Sequence, residues 1–198
     1  MRSLSETGTA GVSAASGPQL NGTERGTQTM DWRRQPALLL LLLLLALPAL
    51  AKPTPDPASK APTAPRFSLP GRTGTVSLDS LRGRVVYVDF WASWCDPCRR
   101  SFPWLSSLSA RYSAKGLTVV AINLDKDRHA AEAFLERFPA SFPVAFDPSG
   151  RTAEAYGVSV MPSSFLIGPN GKLLSSHAGF DPRKTEAIEA LIKEACTP

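Results

Sequence analysis

Apolar residues in the second half of the chain follow two kinds of pattern. Residues 85–90 and 117–124 are predominantly apolar runs of strand length, rich in β-branched residues. Such runs are typical of strands buried on both faces, and therefore of parallel neighbours in one sheet. Residues 128–138 repeat their apolar positions at helical spacing before a proline, and residues 99–115 are expected to form a helix that a glycine ends.

The remaining segments extend this alternation of strands and helices. A Pro-Gly pair at residues 70–71 predicts a turn between two short strands near the start of the folded region. Residues 142–146 are expected to form a short strand, and residues 149–156 a short helix. The sequence Gly-Pro-Asn-Gly at residues 168–171 is a strong turn signal, so the segments on either side, 163–167 and 172–176, are predicted to pair antiparallel.

A closing amphipathic helix is predicted over residues 184–195, with Ile188, Leu191 and Ile192 facing the core. Strands that alternate with helices and then give way to a hairpin and a helix predict an α/β fold. The expected architecture is a three-layer sandwich.

The first 65 residues have a different composition. Residues 30–51 combine a basic start, a run of eight leucines and an Ala-x-Ala site, which is the order of a secretory signal peptide. The apolar stretch is about 15 residues long, whereas a membrane span needs about 20, so cleavage is expected and an uncleaved anchor is the alternative. We expect translation to start at Met30, which makes residues 1–29 an over-extended start or a disordered leader. Residues 52–65, rich in proline and alanine, are expected to form an extended linker.

The charge of the chain narrows the choice of partners. The 198 residues include 22 Lys and Arg and 17 Asp and Glu, and the formal net charge is +5. Removing the first 51 residues takes away four basic and three acidic residues, which leaves a net charge of +4. The basic residues are scattered and form no run, so nucleic acid is not an expected partner. Export would place the cysteines in an oxidising compartment.

The sequence Cys95-Asp96-Pro97-Cys98 directly follows the first apolar strand. Proline suits the first turn of a helix, so Cys95 is predicted at a helix N-terminus, where a thiolate is favoured. Cys98 lies one turn further on the same face, close enough to form a disulfide. A zinc site would need two more ligands, and a structural disulfide closing so short a loop would restrict the unfolded chain little, so a reversible dithiol is favoured. The other candidate zinc ligands are not paired at ligand spacing: Cys196, His129 and His177.

These motifs resemble the thioredoxin superfamily, and more closely its periplasmic, membrane-linked branch of the TlpA, ResA and CcmG type. The resemblance rests on the sequence VDFWASWCDPC, on Pro103, on the strand at residues 119–125 and on the motif at residues 157–167. It covers residue 67 to the C-terminus. It implies a thioredoxin fold over residues 66–198, with a mixed central sheet, an N-terminal β-hairpin and a central helix–strand insertion.

The resemblance also implies roles for individual residues. Cys95 is the expected exposed nucleophile, and the more buried Cys98 is expected to resolve the mixed disulfide. Asp89 aligns with a buried acid whose raised pKa would let it relay the proton of Cys98. Pro162 is expected in the cis form, which would leave the backbone of Met161 free to pair with substrate. The residues expected to contact substrate are Trp94, Asp96, Pro97, Met161 and Pro162.

Two positions differ from the pattern of the relatives. Ser101 stands where the membrane-linked branch often has a glutamate, and Ala121 stands where thioredoxin has a lysine beside its buried acid. Asp89 would therefore act without either partner.

The function implied by the resemblance is that of a periplasmic thiol–disulfide oxidoreductase that reduces client disulfides. Apocytochrome c and the cysteines of a copper-site protein are the expected clients, and a DsbD-like membrane protein is the expected electron donor. The chain is expected to work as a monomer without a cofactor or bound metal. The alternatives are a disulfide oxidant or isomerase, and a thioredoxin-like module that binds copper(I) through its thiolates.

Overall fold

The structure is a computed structural model, and it describes residues 61–197. The strands in this range are, in chain order, β1 (Ser68–Pro70), β2 (Thr75–Ser77), β3 (Val85–Trp91), β4 (Leu117–Asn123), β5 (Val144–Phe146), β6 (Ser163–Ile167) and β7 (Leu173–Ala178). The α-helices are α1 (Asp96–Tyr112), α2 (Arg128–Arg137), α3 (Arg151–Ala155) and α4 (Thr185–Ala195).

Five of these strands form one mixed sheet in the order β5-β4-β3-β6-β7. Strands β3, β4 and β5 run parallel, whereas β6 and β7 are antiparallel to their neighbours. The two apolar runs of the sequence are therefore the parallel central strands, as expected for strands buried on both faces. Strands β1 and β2 form a separate hairpin, and the segment from α2 to β5 adds an edge strand beside β4. The predicted thioredoxin fold is confirmed.

The two faces of the sheet bury different clusters of apolar side chains. Successive residues of β3 point to opposite faces, so Tyr87 and Trp91 lie in one cluster and Val88 and Phe90 in the other. Helices α1, α2 and α4 cover the first face. The β1–β2 hairpin and α3 cover the second. Asp89 has the parity of Tyr87 and Trp91, so it points to the face that α1 covers.

The folded region begins earlier than the expected boundary at residue 66. The backbone N–H of Leu173 donates to the carbonyl of Pro62, and the N–H of Ala64 donates to the carbonyl of Gly171. Ala64 is buried in the core. The end of the expected linker is thus anchored to the β6–β7 turn. The signal peptide, the start at Met30 and most of the linker lie outside the described residues.

The prediction for the inner face of α4 was partly wrong. Ile188 and Ile192 are buried, but Leu191 is 40% exposed. Residues four apart lie on one side of a helix, so a stripe through 188 and 192 turns residue 191 toward its edge. Among residues 61–197, every helix is too short or too polar to cross a membrane.

Candidate functional site

The loop between β3 and α1 places both cysteines at the start of a helix. Cys95 has an extended backbone and is the N-cap of α1, and Pro97 lies in the first turn. The backbone N–H of Cys98 donates to Sγ of Cys95 over 3.3 Å. At a helix N-terminus the free N–H groups and the helix dipole stabilise negative charge, so a thiolate at Cys95 would be favoured here.

The two cysteines form a disulfide, with an S–S distance of 1.99 Å and a Cα–Cα distance of 5.3 Å. Cys98 is fully buried, as expected. The expectation that Cys95 is exposed was wrong for this oxidised form, because the residue is only 4% exposed. Its sulfur is bonded to Cys98, and Cys95 lines a cavity that opens to solvent.

That cavity, which we call the Cys95 groove, has a volume of about 450 Å³. Its rim is apolar and accessible, since Trp94 is 67% exposed and Val160 is 46% exposed. Exposed apolar groups beside a reactive sulfur are a suitable surface for an apolar segment of another protein. The residues that define the Cys95 groove are Trp94, Cys95, Asp96, Pro97, Val160 and Met161, together with Leu124, Ala153, Val158 and Ser159.

The groove brings together four of the five residues predicted to contact substrate: Trp94, Asp96, Pro97 and Met161. The fifth, Pro162, lines a different cavity on the other side of the Met161–Pro162 peptide bond, which is cis. Val160 was not predicted. It lies in the short, mostly apolar segment Val158-Ser159-Val160-Met161 between a glycine and a proline, and nothing in that segment singles out residue 160.

Asp89 is a carboxylic acid in the core. It is buried in the middle of β3, and its Oδ2 atom has no hydrogen-bond partner. Burial raises the pKa of Asp89 well above its ordinary value, because the charged form loses its hydration. On β4 its neighbour is Ala121, so a basic partner is missing at the position where thioredoxin has one. Burial therefore favours the neutral form of this carboxyl.

A second cavity, which we call the polar cavity, lies beside Asp89 and has a volume of about 340 Å³. Its inner wall includes two hydroxyl groups, and the Tyr87 hydroxyl donates to Oγ of Ser164 over 2.6 Å. Burial also raises the pKa of Tyr87, so its phenol stays protonated at neutral pH. The residues that define the polar cavity are Tyr87, Asp89, Trp104, Pro162, Ser164, His177, Phe180, Asp181 and Lys184, together with Ser176, Ala178, Gly179 and Ile188.

Charges near the disulfide are partly compensated. The carboxylate of Asp96, between the two cysteines, lies 2.9 Å from the guanidinium of Arg99 one turn along α1. Both side chains are exposed, so water and salt screen the pair and it contributes little to stability. The pairing reduces the repulsion that Asp96 would exert on a thiolate at Cys95.

The remaining cysteine lies far along the chain from this site. Cys196 is a free thiol at the end of α4, and burial raises its pKa. Within residues 61–197, there is no group of three or more His, Cys, Asp or Glu side chains that could hold a metal ion. Ser101, the position that differs from the relatives, is buried, and its hydroxyl donates to the carbonyl of Cys98.

Comparison with known proteins gives a consistent result. Residues 58–192 match the Redoxin family. The chain is 33% identical to thiol-disulfide oxidoreductase ResA of Bacillus subtilis (strain 168) over 122 residues, which is 61% of this chain and 68% of that protein. It is 32% identical to ResA of Bacillus thuringiensis subsp. konkukian (strain 97-27) over 132 residues, which is 66% of this chain and 75% of that protein.

A solved structure extends the similarity to the fold. A crystal structure from Chlorobium tepidum, described as a thiol:disulfide interchange protein DsbE, is 54% identical in sequence and superposes with a TM-score of 0.68. The match covers 69% of this chain and 97% of the other.

Proposed function

Because the chain belongs to the Redoxin family and is a thiol–disulfide oxidoreductase with a Cys-x-x-Cys pair, we propose that it reduces disulfides in particular client proteins. The observation that carries the proposal is the unequal accessibility of the two sulfurs. Cys95 lines an open apolar groove, whereas Cys98 is fully buried behind it. A client can contact only Cys95, and Cys98 remains available to resolve the mixed disulfide.

The first step is attack by the Cys95 thiolate on one sulfur of the client disulfide. The S–S bond of the client breaks, a mixed disulfide forms, and the first client sulfur leaves as a thiolate that takes a proton from water. The Cys95 groove holds the client chain during this step. Trp94 and Val160 contact its apolar side chains, and the backbone next to Met161 pairs with its main chain.

The second step is attack by Cys98 on the sulfur of Cys95. This step releases the second client thiolate and closes the Cys95–Cys98 disulfide, so that two electrons have passed from the dithiol to the client. Asp89 is the proposed base: once its carboxyl has lost its own proton, the carboxylate takes the proton of the Cys98 thiol. Two features support this role: its pKa is raised by burial, and it points to the face of the sheet that holds Cys98.

The similarity to ResA-type thiol–disulfide oxidoreductases supports the reductive direction, whereas a base at Cys98 would speed disulfide exchange in both directions. Apocytochrome c and copper-site cysteines are the proposed clients. A DsbD-like membrane protein is the proposed donor that restores the dithiol. We further propose a monomer that is exported to the periplasm by the signal peptide at residues 30–51, with the leader as a membrane anchor if it is retained.

The deciding experiment is the reduction potential of the Cys95–Cys98 pair, measured by equilibrating the full chain against glutathione redox buffers. Cys196 is replaced by serine in all samples, because it is a free thiol that would form mixed disulfides. We expect a value near that of thioredoxin, about −270 mV, which suits a dedicated reductant. A value near that of DsbA, about −120 mV, would show that the protein makes disulfides and would reverse the proposed direction.

A further inference from the structure

Asp89 can act as a base only as a carboxylate, so the proton that burial favours on it must leave before the Cys98 thiol can be deprotonated. Asp89 is enclosed by the sheet and helix core, and its Oδ2 atom has no partner there. The polar cavity is the space next to this carboxyl that is not filled by protein. Its volume of about 340 Å³ is well above what a single water needs, so it has room for several waters.

The sheet register places a row of polar side chains along the cavity. Asp89 on β3 pairs with Ser164 on β6, and Ser164 pairs with His177 on β7. Directly paired residues point to the same face, so these three side chains lie on one side of the sheet. Asp89 and His177 are two strand spacings apart, roughly 10 Å, with the Ser164 hydroxyl between them. Tyr87 donates to Ser164, which leaves the proton of the Ser164 hydroxyl available to water or to Asp89.

His177 is the group of this row that can change charge near neutral pH. The half-buried ring lines the polar cavity, and its Nε2 atom lies 3.4 Å from Oγ of Ser175. The titratable groups that face the same cavity are Tyr87 and Asp89 from β3 and Asp181 and Lys184 from the segment before α4. Burial and the nearby Lys184 ammonium lower the pKa of His177, so the ring is neutral at pH 7 and able to accept a proton.

We propose that the polar cavity is the path by which the proton of Asp89 reaches solvent, with His177 as the acid–base group along it. The inference rests on the proposed role of Asp89 as the base for Cys98. Cavity water passes the proton of Asp89 to His177, His177 releases it to solvent, and the resulting carboxylate then takes the proton of the Cys98 thiol. The proton on the departing client thiol comes from bulk water, so the protons balance and no further reactant is needed. His177 acts through Asp89 and is a positioning residue.

The test is a comparison of His177→Ala with His129→Ala, since His129 is an exposed histidine on α2. Reduced full-chain enzyme is mixed with a peptide disulfide, quenched with acid at set times, and analysed for the mixed disulfide and for the Cys95–Cys98 disulfide. Imidazole is then added as a diffusible replacement for the missing ring. His177→Gln is a second variant that keeps a polar side chain without its titration.

For His177→Ala and His177→Gln we expect resolution at pH 7 to be about tenfold slower, less than the roughly 10²–10⁴-fold that a directly acting base supplies. Formation of the mixed disulfide should be unchanged, imidazole should restore resolution in the alanine variant, and His129→Ala should behave as the parent. Unchanged resolution in both variants would overturn the inference, and so would a loss that imidazole does not restore. If the parent enzyme itself fails to form the mixed disulfide, the proposed function fails, which is a separate and recognisable outcome.

Discussion

The Cys95 groove and the polar cavity are lined by two consecutive residues: Met161 lines the groove, and Pro162 lines the polar cavity. The groove is open, and its rim carries the exposed side chains of Trp94 and Val160. The polar cavity lies against the buried carboxyl of Asp89 and contains hydroxyl and imidazole groups. Cys95 lines the groove, whereas Asp89 lines the polar cavity and neither cysteine of the disulfide does.

This difference indicates a division of labour around the two sulfurs. A client chain needs an accessible apolar surface, because burying apolar groups supplies most of the affinity for an unfolded segment. A proton needs a chain of polar groups and water, which would weaken such a surface. Keeping the two spaces apart allows each to be changed separately, and this is the property that the following variants test.

The largest effect is expected from replacing each of the two cysteines with serine, one at a time. Cys95→Ser should lose essentially all turnover and form no mixed disulfide, because the sulfur that faces the groove is gone. Cys98→Ser should also lose turnover but should accumulate the mixed disulfide, because attack proceeds and resolution cannot. Mass spectrometry of enzyme incubated with a peptide disulfide distinguishes the two. Accumulation in Cys95→Ser instead would reverse the assigned order of the sulfurs.

The next effect concerns the base. Asp89→Asn should slow resolution of the mixed disulfide by about 10²-fold, because the amide cannot accept the proton of Cys98. KM for a peptide disulfide should stay within a factor of two, since Asp89 does not line the groove. The measurement is rapid acid quench followed by thiol labelling. A variant with unchanged resolution would remove Asp89 from the mechanism.

The same variant should show a pH-dependent gain in stability. The folded-state pKa of Asp89 is raised, so its protonation stabilises the folded protein fully below about pH 4, and this stabilisation is lost as the pH rises toward the folded pKa. Asparagine does not ionise, so the free energy of unfolding of Asp89→Asn should exceed that of the parent increasingly from pH 4 to pH 8. Urea unfolding of the oxidised proteins measures this difference. An equal difference at both pH values would contradict a neutral buried carboxyl.

A smaller effect is expected from the rim of the groove. Val160→Lys should raise KM for an apolar peptide disulfide by about tenfold, because the contribution of a buried valine side chain is about 1.5 kcal/mol. Resolution of the mixed disulfide should not change. Leu174→Lys is the matched control, since Leu174 is also exposed but lines neither the groove nor the polar cavity. Equal effects of the two lysines would mean that the groove does not select clients.

The smallest effect is expected from removing the Tyr87 hydroxyl, which donates a hydrogen bond to Ser164. Tyr87→Phe removes the hydrogen bond to Ser164 and should lower the free energy of unfolding by about 1 kcal/mol. KM should be unaffected, because Tyr87 lies on the side of the polar cavity. Chemical denaturation and steady-state kinetics provide the two measurements. A change in KM would show that the two cavities are coupled through Pro162.

Much of the fold was predictable because its signals are local. The apolar runs at β3 and β4, the turn before β7 and the start of α1 each depend on residues within about ten positions of one another. The prediction was wrong for Leu191, where the choice lies between adjacent positions at the edge of an amphipathic face. The start of the folded region at residue 62 was also not predicted, because it depends on pairing with Leu173, more than a hundred positions away.

The sequence by itself determined the chemistry of this protein: two cysteines one helical turn apart, directly after a buried strand and at a helix N-terminus. That arrangement is contained in residues 85–98 and follows from strand, turn and helix preferences over a short distance. Only the tertiary structure decided the surroundings of the two sulfurs. Residues from distant strands decide whether Asp89 has a partner and which side chains form the rim of the groove. They also place His177 in the same cavity as Asp89. Desolvation and cavity shape are properties of everything that surrounds a group, and a short stretch of sequence does not contain them.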